Sequence, residues 1–428
     1  MWVLAVLVGV LGAFAVIAIR NLVDFASFLA FNAPRGRFYS SLAALEWWQR
    51  MIGPIVGGSI IALLLRLGMS MGWGPAPRAY GLADVVQNRR LRGAIRSTTL
   101  SLRDAFLSAL TAIVSLGWGG SAGREEPAAH LGASLAMLPG RLLGLDVPSR
   151  RMLLGMGVAA AISAALHAPI AGVFLARELV LRRLRLAALG PVAVASFAGW
   201  LAARTQFEGR PVIDIPAAGP ILAEHHLAAV LATPILALVA WAAASVWARA
   251  PVMTAAASAR IHLPLWLLPF FGGVLLGLIA LAFPQVMGIG YEPLAAGLAG
   301  NYSVQLMPVL VLAKIAATAI TFSFRWGGGA IAPALYVGAM IGATLGAAAG
   351  LALPDAATLQ VYIGVVGMAV AVAMLLNAPI TAGILALELS RSIEIGAASL
   401  ALAFLAVMAA RRFAPPAPDD IGSTLRWR

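Results

Sequence analysis

The chain has 428 residues, of which 61% are hydrophobic and only 11% charged, and it carries a formal net charge of +13. A soluble protein has roughly a quarter charged residues, so this composition excludes an ordinary water-soluble domain and marks a polytopic membrane protein. The absence of cysteine excludes disulfides, thiolate metal sites and cysteine nucleophiles.

The first apolar run, "MWVLAVLVGVLGAFAVIAI", begins at Met1 without a basic stretch before it or a small-residue cleavage site after it. It reads as a retained helix and not as a signal peptide. Further apolar runs follow as far as "SLALAFLAVMAA", leaving no room for a separate catalytic or regulatory domain. Arginines gather between the runs, in 78–96, in "RELVLRRLR" at 177–185 and in the tail from Arg411 to Arg428. This placement reads as positive loops on the cytoplasmic side, so the basic balance does not point to nucleic acid.

About 20 apolar residues are needed to cross a hydrocarbon core of about 30 Å. The runs 128–138, 169–176 and 379–387 are shorter and are bounded by proline or charge. The glycine-rich pieces 117–123 and 327–329 make poor helix interiors. Broken and re-entrant helices follow, and such backbone survives at membrane depth only when buried in protein or lining a watery cavity. Interruptions near the midplane point to a substrate path.

The interrupted segments repeat. "HAPIAGVFLAREL" (167–179) returns as "NAPITAGILALEL" (377–389) with seven of thirteen positions identical, at an offset of 210 residues. "GREEPAAHLGA" (123–133) aligns with "GAIAPALYVGA" (329–339) at an offset of 206, pairing Pro127 with Pro333 and Gly132 with Gly338. Two membrane repeats are expected, 1–215 and 216–428, and duplicated halves with interrupted helices are a transporter pattern. Each motif sets glycine before a short segment and proline at what reads as the first helical position. A helix start offers free N–H groups and partial positive charge, so one start from each half makes an anion site without a fixed cation. Such a site binds weakly enough for transit. Glu125, two residues before Pro127, is placed to compete for that position as a tethered, protonatable gate.

"GREEP" (123–127), "GGAIAP" (328–333) and the paired "APIAG" and "APITA" segments resemble, in order and spacing, the signature elements of the CLC chloride channels and chloride/proton antiporters. The resemblance covers essentially the whole chain. It implies an all-α membrane protein of two inverted-topology repeats, a homodimer with one anion pathway per subunit, and chloride as the transported ligand with no cofactor or metal. It further implies that Glu125 is the external gating glutamate, that the amides of Arg124, Glu125 and Glu126 form the outer anion site, and that those of Ala330 and Ile331 line the central one, with Ala332 also among the anion-binding residues. The chain is expected to lack the paired cytoplasmic nucleotide-binding modules of many relatives and to lie in a bacterial inner membrane.

Departures from the family pattern bear on mechanism. Tyr80, in "AYGLAD", stands where the family has a serine, and its phenol is a bulkier donor toward the anion. Ile331 replaces a phenylalanine, and the family's pore-facing tyrosine falls near Ile421, with none of the six tyrosines beyond Tyr362. Leu179 occupies the position of the antiporters' internal proton-transfer glutamate, and neighbouring Glu178 projects about 100° away on a helix. The missing acid favours a passive channel, with a chloride/proton antiporter as the alternative and a fluoride exporter as a further one. Arg124 reads as one half of a structural ion pair, Glu126 as a pore-mouth charge or second gate, His130 as a packed side chain and Glu388 as a structural acid. "GGSAG" (119–123) also satisfies the serine-hydrolase elbow, with Ser121 as nucleophile and His130 as base, but that pattern needs a strand-to-helix turn. No enzymatic activity is expected.

Overall fold

The computed structural model describes residues 1–71, 102–182, 189–206, 211–219, 221–261, 263–353 and 355–413. Tyr80, Ile421, the 78–96 stretch and the tail beyond residue 413 lie outside the described residues.

The first repeat contains α1 (Trp2–Phe31), α2 (Phe38–Ala44), α3 (Trp47–Ser70), α4 (Leu102–Gly117), α5 (Glu125–Leu142), α6 (Val147–Leu166), α7 (Pro169–Leu175) and α8 (Gly190–Gln206). The second contains α9 (Ala223–Ile261), α10 (Leu268–Ala282), α11 (Tyr291–Leu298), α12 (Leu306–Ser323), α13 (Ile331–Ala349), α14 (Ala356–Leu376), α15 (Pro379–Ser390) and α16 (Ile393–Phe413). Eight helices among the described residues are long and apolar enough to cross a membrane. The architecture is that of an all-α multi-pass membrane protein built from two inverted repeats with broken helices.

The same local chemistry breaks the helices at both copies. α6 ends at His167 (φ 55°) and α14 at Asn377 (φ 52°), both left-handed. Ala168 (φ −125°) and Ala378 (φ −133°) then turn the chain, and Pro169 and Pro379 open α7 and α15. A left-handed residue closes a helix by offering its N–H backward, and proline at the next start needs no N–H. At the other motif the helices begin earlier than the prolines suggest. α5 starts at Glu125 and α13 at Ile331, so Pro127 and Pro333 sit in the third helical position. Proline is tolerated there because the first turn's N–H groups have no partner inside the helix.

Small residues let the paired helices approach closely. A Cβ on Gly338 of α13 stands 2.2 Å from the carbonyl oxygen of Gly367 on α14, and one on Gly367 stands 2.2 Å from the oxygen of Gly338. The equivalent crossing joins Gly132 of α5 to Gly157 of α6, where a Cβ on Gly157 meets Gly132 O at 2.6 Å. Close backbone approach through small residues is how helices associate when lipid supplies no hydrophobic drive. Gly338→Ala is therefore expected to destabilise the protein by about 1–3 kcal/mol, because the clash is with backbone and not with a side chain that turns aside. Gly68→Ala on α3 is the control, since its Cβ meets only a Leu107 methyl at 3.5 Å. Thermal unfolding in detergent, followed by size-exclusion monodispersity, checks both.

Candidate functional site: the junction of two helix starts

α5 and α13 begin beside each other. Gly123 N donates to Gly329 O at 2.7 Å and Gly329 N donates to Gly123 O at 2.7 Å, a two-bond antiparallel bridge between the two repeats. Arg124 (φ −96°, ψ −11°) and Ala330 (φ −95°, ψ −10°) follow as N-caps of nearly identical geometry. In the first turns, Ala128 N donates to Arg124 O and Ala334 N to Ala330 O, while Pro127 and Pro333 carry no N–H. The amides of residues 124–126 and 330–332 are thereby left to the junction, where aligned N–H groups favour negative charge.

Two carboxylates stand at this junction and reach in different directions. Glu125 is 0% exposed, and its Oε1 accepts from the Tyr291 hydroxyl at 2.5 Å. Its Oε2 has no hydrogen-bond partner among the described residues. That oxygen lies over Gly123, where an added Cβ stands 2.3 Å from it and 3.2 Å from Ala332 N. Glu126 is also buried and crosses to the other repeat, its Oε1 accepting from Ala330 N at 2.8 Å with Ile331 N as a further donor. Arg124 is buried, and its charge acts on Asp24 and Tyr291, with Arg20 and Arg35 in the same electrostatic surround. The structure thus brings together Arg124, Glu125, Glu126, Ala330, Ile331 and Ala332.

The other candidates take structural places. Ser121 Oγ donates to Val286 O at 2.8 Å and pairs with Thr318 Oγ1 at 3.1 Å, and its N–H meets Thr321 Oγ1 at 3.0 Å, so it is not presented to His130. His130 is 2% exposed on α5. Leu179 is buried in a π-turn, Ala176–Leu181, that continues α7. Glu178 crosses to the second repeat, accepting from Ile380 N at 3.2 Å and from Thr381 N and Oγ1 at 2.8 and 2.6 Å. Glu388 returns the contact, accepting from Ile170 N at 2.9 Å and Ala171 N at 2.8 Å. Each acid caps the short helix of the opposite repeat. No cluster of three metal-ligating side chains occurs among the described residues.

Two participants escape the sequence reading. Tyr291 reaches Glu125 from the start of α11, 166 positions away. Lys314, the chain's only lysine, is fully buried on α12 and donates to Val286 O and Gly288 O at 3.0 Å and to Ile289 O at 3.4 Å. It fixes the segment that presents Tyr291. Its signal was available, since an ionisable residue inside an apolar run marks a functional or positioning role.

The family model described as voltage gated chloride channel matches residues 57–411, and the chain belongs to that family. It is an anion-transport protein of the CLC type. A ClcB-like chloride channel protein from Ralstonia nicotianae is 29% identical over 405 residues, covering 92% of this chain and 90% of the relative. Among solved structures, a slow cyanobacterial Cl⁻/H⁺ antiporter superposes with a TM-score of 0.82 at 17% identity, covering 96% of this chain and 94% of its own. A CLC-type fluoride/proton antiporter superposes at 0.72 with 19% identity and 94% coverage of both chains.

Lys314→Met removes the donor to three carbonyls and is expected to lower stability by about 1–3 kcal/mol, the cost of leaving buried polar groups unpaired. Thermal unfolding in detergent is the check. An unchanged midpoint means that Lys314 does not hold the 286–289 segment.

Proposed function

We propose that the chain is a chloride/proton exchanger of a bacterial inner membrane, working as a homodimer, with anions passing the junction of α5 and α13. The observation that carries this reading is the buried Glu125 carboxylate beside the two helix starts, held by the Tyr291 hydroxyl; on this proposal it competes there with a permeant anion. Ionised, Glu125 holds the position; protonated, it loses its attraction to the amide dipoles and yields to chloride. Anion movement is thereby tied to proton movement. The names of the two superposed antiporters support coupled exchange over the passive channel favoured by Leu179. Passive conduction remains the second reading, because Leu179 offers no proton acceptor and Glu178 is engaged in capping α15.

Purified protein in liposomes, with a chloride gradient and an internal pH probe, decides between them. Chloride flowing down its gradient is expected to drive protons uphill, and flux is expected to rise as pH falls, since acid neutralises the competitor. Chloride movement without any proton movement returns the protein to passive conduction. Glu125→Gln is expected to keep chloride flux and to reduce proton flux about tenfold or more, equivalent to about 1.4 kcal/mol or more of lost coupling. Full coupling in that variant removes Glu125 from the proposal.

Tyr80 belongs to the same proposal as a hydroxyl donor to the anion. Tyr80→Phe is expected to weaken chloride binding by about 1.5–3 kcal/mol, the worth of a hydrogen bond to a charged group, and to alter chloride over nitrate preference. Titration calorimetry with both anions tests it, and unchanged affinities return Tyr80 to packing.

A further inference from the structure

The two acids of "REEP" follow one another, so on a helix they diverge by about 100°. Glu125 stays beside its own bridge glycine and is held by Tyr291. Glu126 leaves its own repeat and lays its carboxylate on the first amides of α13, 204 positions along the chain. Those amides are the natural seat for an anion at this second helix start. A carboxylate oxygen at 2.8 Å from Ala330 N fills that seat.

The surroundings are shaped for this crossing. The Glu126 stem passes directly over Gly329, where an added Cβ stands 2.8, 2.9 and 3.0 Å from its Cβ, Cγ and Cδ. Gly329 lacks the positive φ of Gly327 and Gly328, so its backbone would accept another residue and only the space forbids one. A second observation marks the junction as incompletely paired. Glu125 Oε2 is buried without a hydrogen-bond partner among the described residues and lies over Gly123, in a space that Ala332 also borders. Fully satisfied packing does not leave a buried carboxylate oxygen bare.

We propose that Glu126 is a second tethered gate, its carboxylate occupying the anion position on the α13 helix start while Glu125 serves the α5 side. The pathway is then closed by two acids in series, one on each bridge glycine, and an anion must displace both. This inference deepens the transport reading above and rests on it. The repeat mates of the two acids are Ile331 and Ala332, so both gates come from the first half and none from the second. Glu178 and Glu388, by contrast, cap reciprocally across the repeats at the other pair of short helices.

The competing explanation is that Glu126 merely caps α13. A cap stabilises, and its removal lowers the unfolding midpoint. A gate inhibits, and its removal frees a binding position. Glu126→Ala is therefore expected to tighten chloride binding about tenfold in titration calorimetry and to raise initial chloride efflux from liposomes about tenfold, equivalent to about 1.4 kcal/mol of removed competition. Gly329→Ala retains both acids but pushes the Glu126 stem aside, and is expected to reproduce the gain. Glu125→Gln alone is expected to leave the α13 start occupied and so to give a smaller gain in chloride affinity than the double variant with Glu126→Ala. Loss of thermal stability in Glu126→Ala and Gly329→Ala with no gain in chloride affinity overturns the proposal and leaves a cap. Wild-type protein that moves no chloride at all overturns the transport reading instead.

Discussion

Everything at the centre of this molecule depends on the two hydrogen bonds exchanged between Gly123 and Gly329. A helix interrupted within a membrane must find partners for its freed backbone, because lipid offers none. Here each repeat supplies the other's partner, and residues around the bridge pair further groups. Ser115 Oγ donates to Gly327 O at 2.9 Å, Gly120 N returns to Ser115 O at 2.6 Å, and the indole of fully buried Trp326 donates to Pro269 O at 2.8 Å. With the bridge fixed, the starts of α5 and α13 are held side by side, and the Glu126 carboxylate takes the first amides of α13. Glycine at both bridge positions leaves room above the backbone for a carboxylate, and both places hold one.

The protein uses the same interaction, a glutamate on a helix start, for two ends. At α7 and α15 the exchange is symmetric: Glu178 and Glu388 are repeat mates, and each seals the other half's helix. All four carboxylate oxygens there accept a hydrogen bond. At α5 and α13 both acids come from one half, one carboxylate oxygen has no partner among the described residues, and a phenol holds the other oxygen of the same group. The symmetric pair joins the halves, while the asymmetric pair leaves one carboxylate oxygen without a donor among the described residues. Lys314 contributes at a distance by pinning the segment that carries Tyr291, so a buried cation acts on the junction through backbone carbonyls.

Much of this architecture is written in local chemistry and can be read along the chain. Length and hydropathy decide for membrane helices, since about 20 apolar residues in a row have few other stable uses. His167-Ala-Pro169 and Asn377-Ala-Pro379 decide where helices break, because backbone handedness and a missing N–H act within a few residues. The repeat offset then pairs the breaks, and the motifs place Glu125 among glycines at a helix start. The exact start was not legible, since proline is tolerated through the whole first turn and α5 and α13 begin two residues before it. Which carboxylate meets which amide is set by long-range packing. Glu125 and Glu126 are chemically identical neighbours in the chain, and nothing local distinguishes their reach. Their partners, Tyr291 and Ala330, lie 166 and 204 positions away, and it is the bridge between the two repeats that brings them within a hydrogen bond.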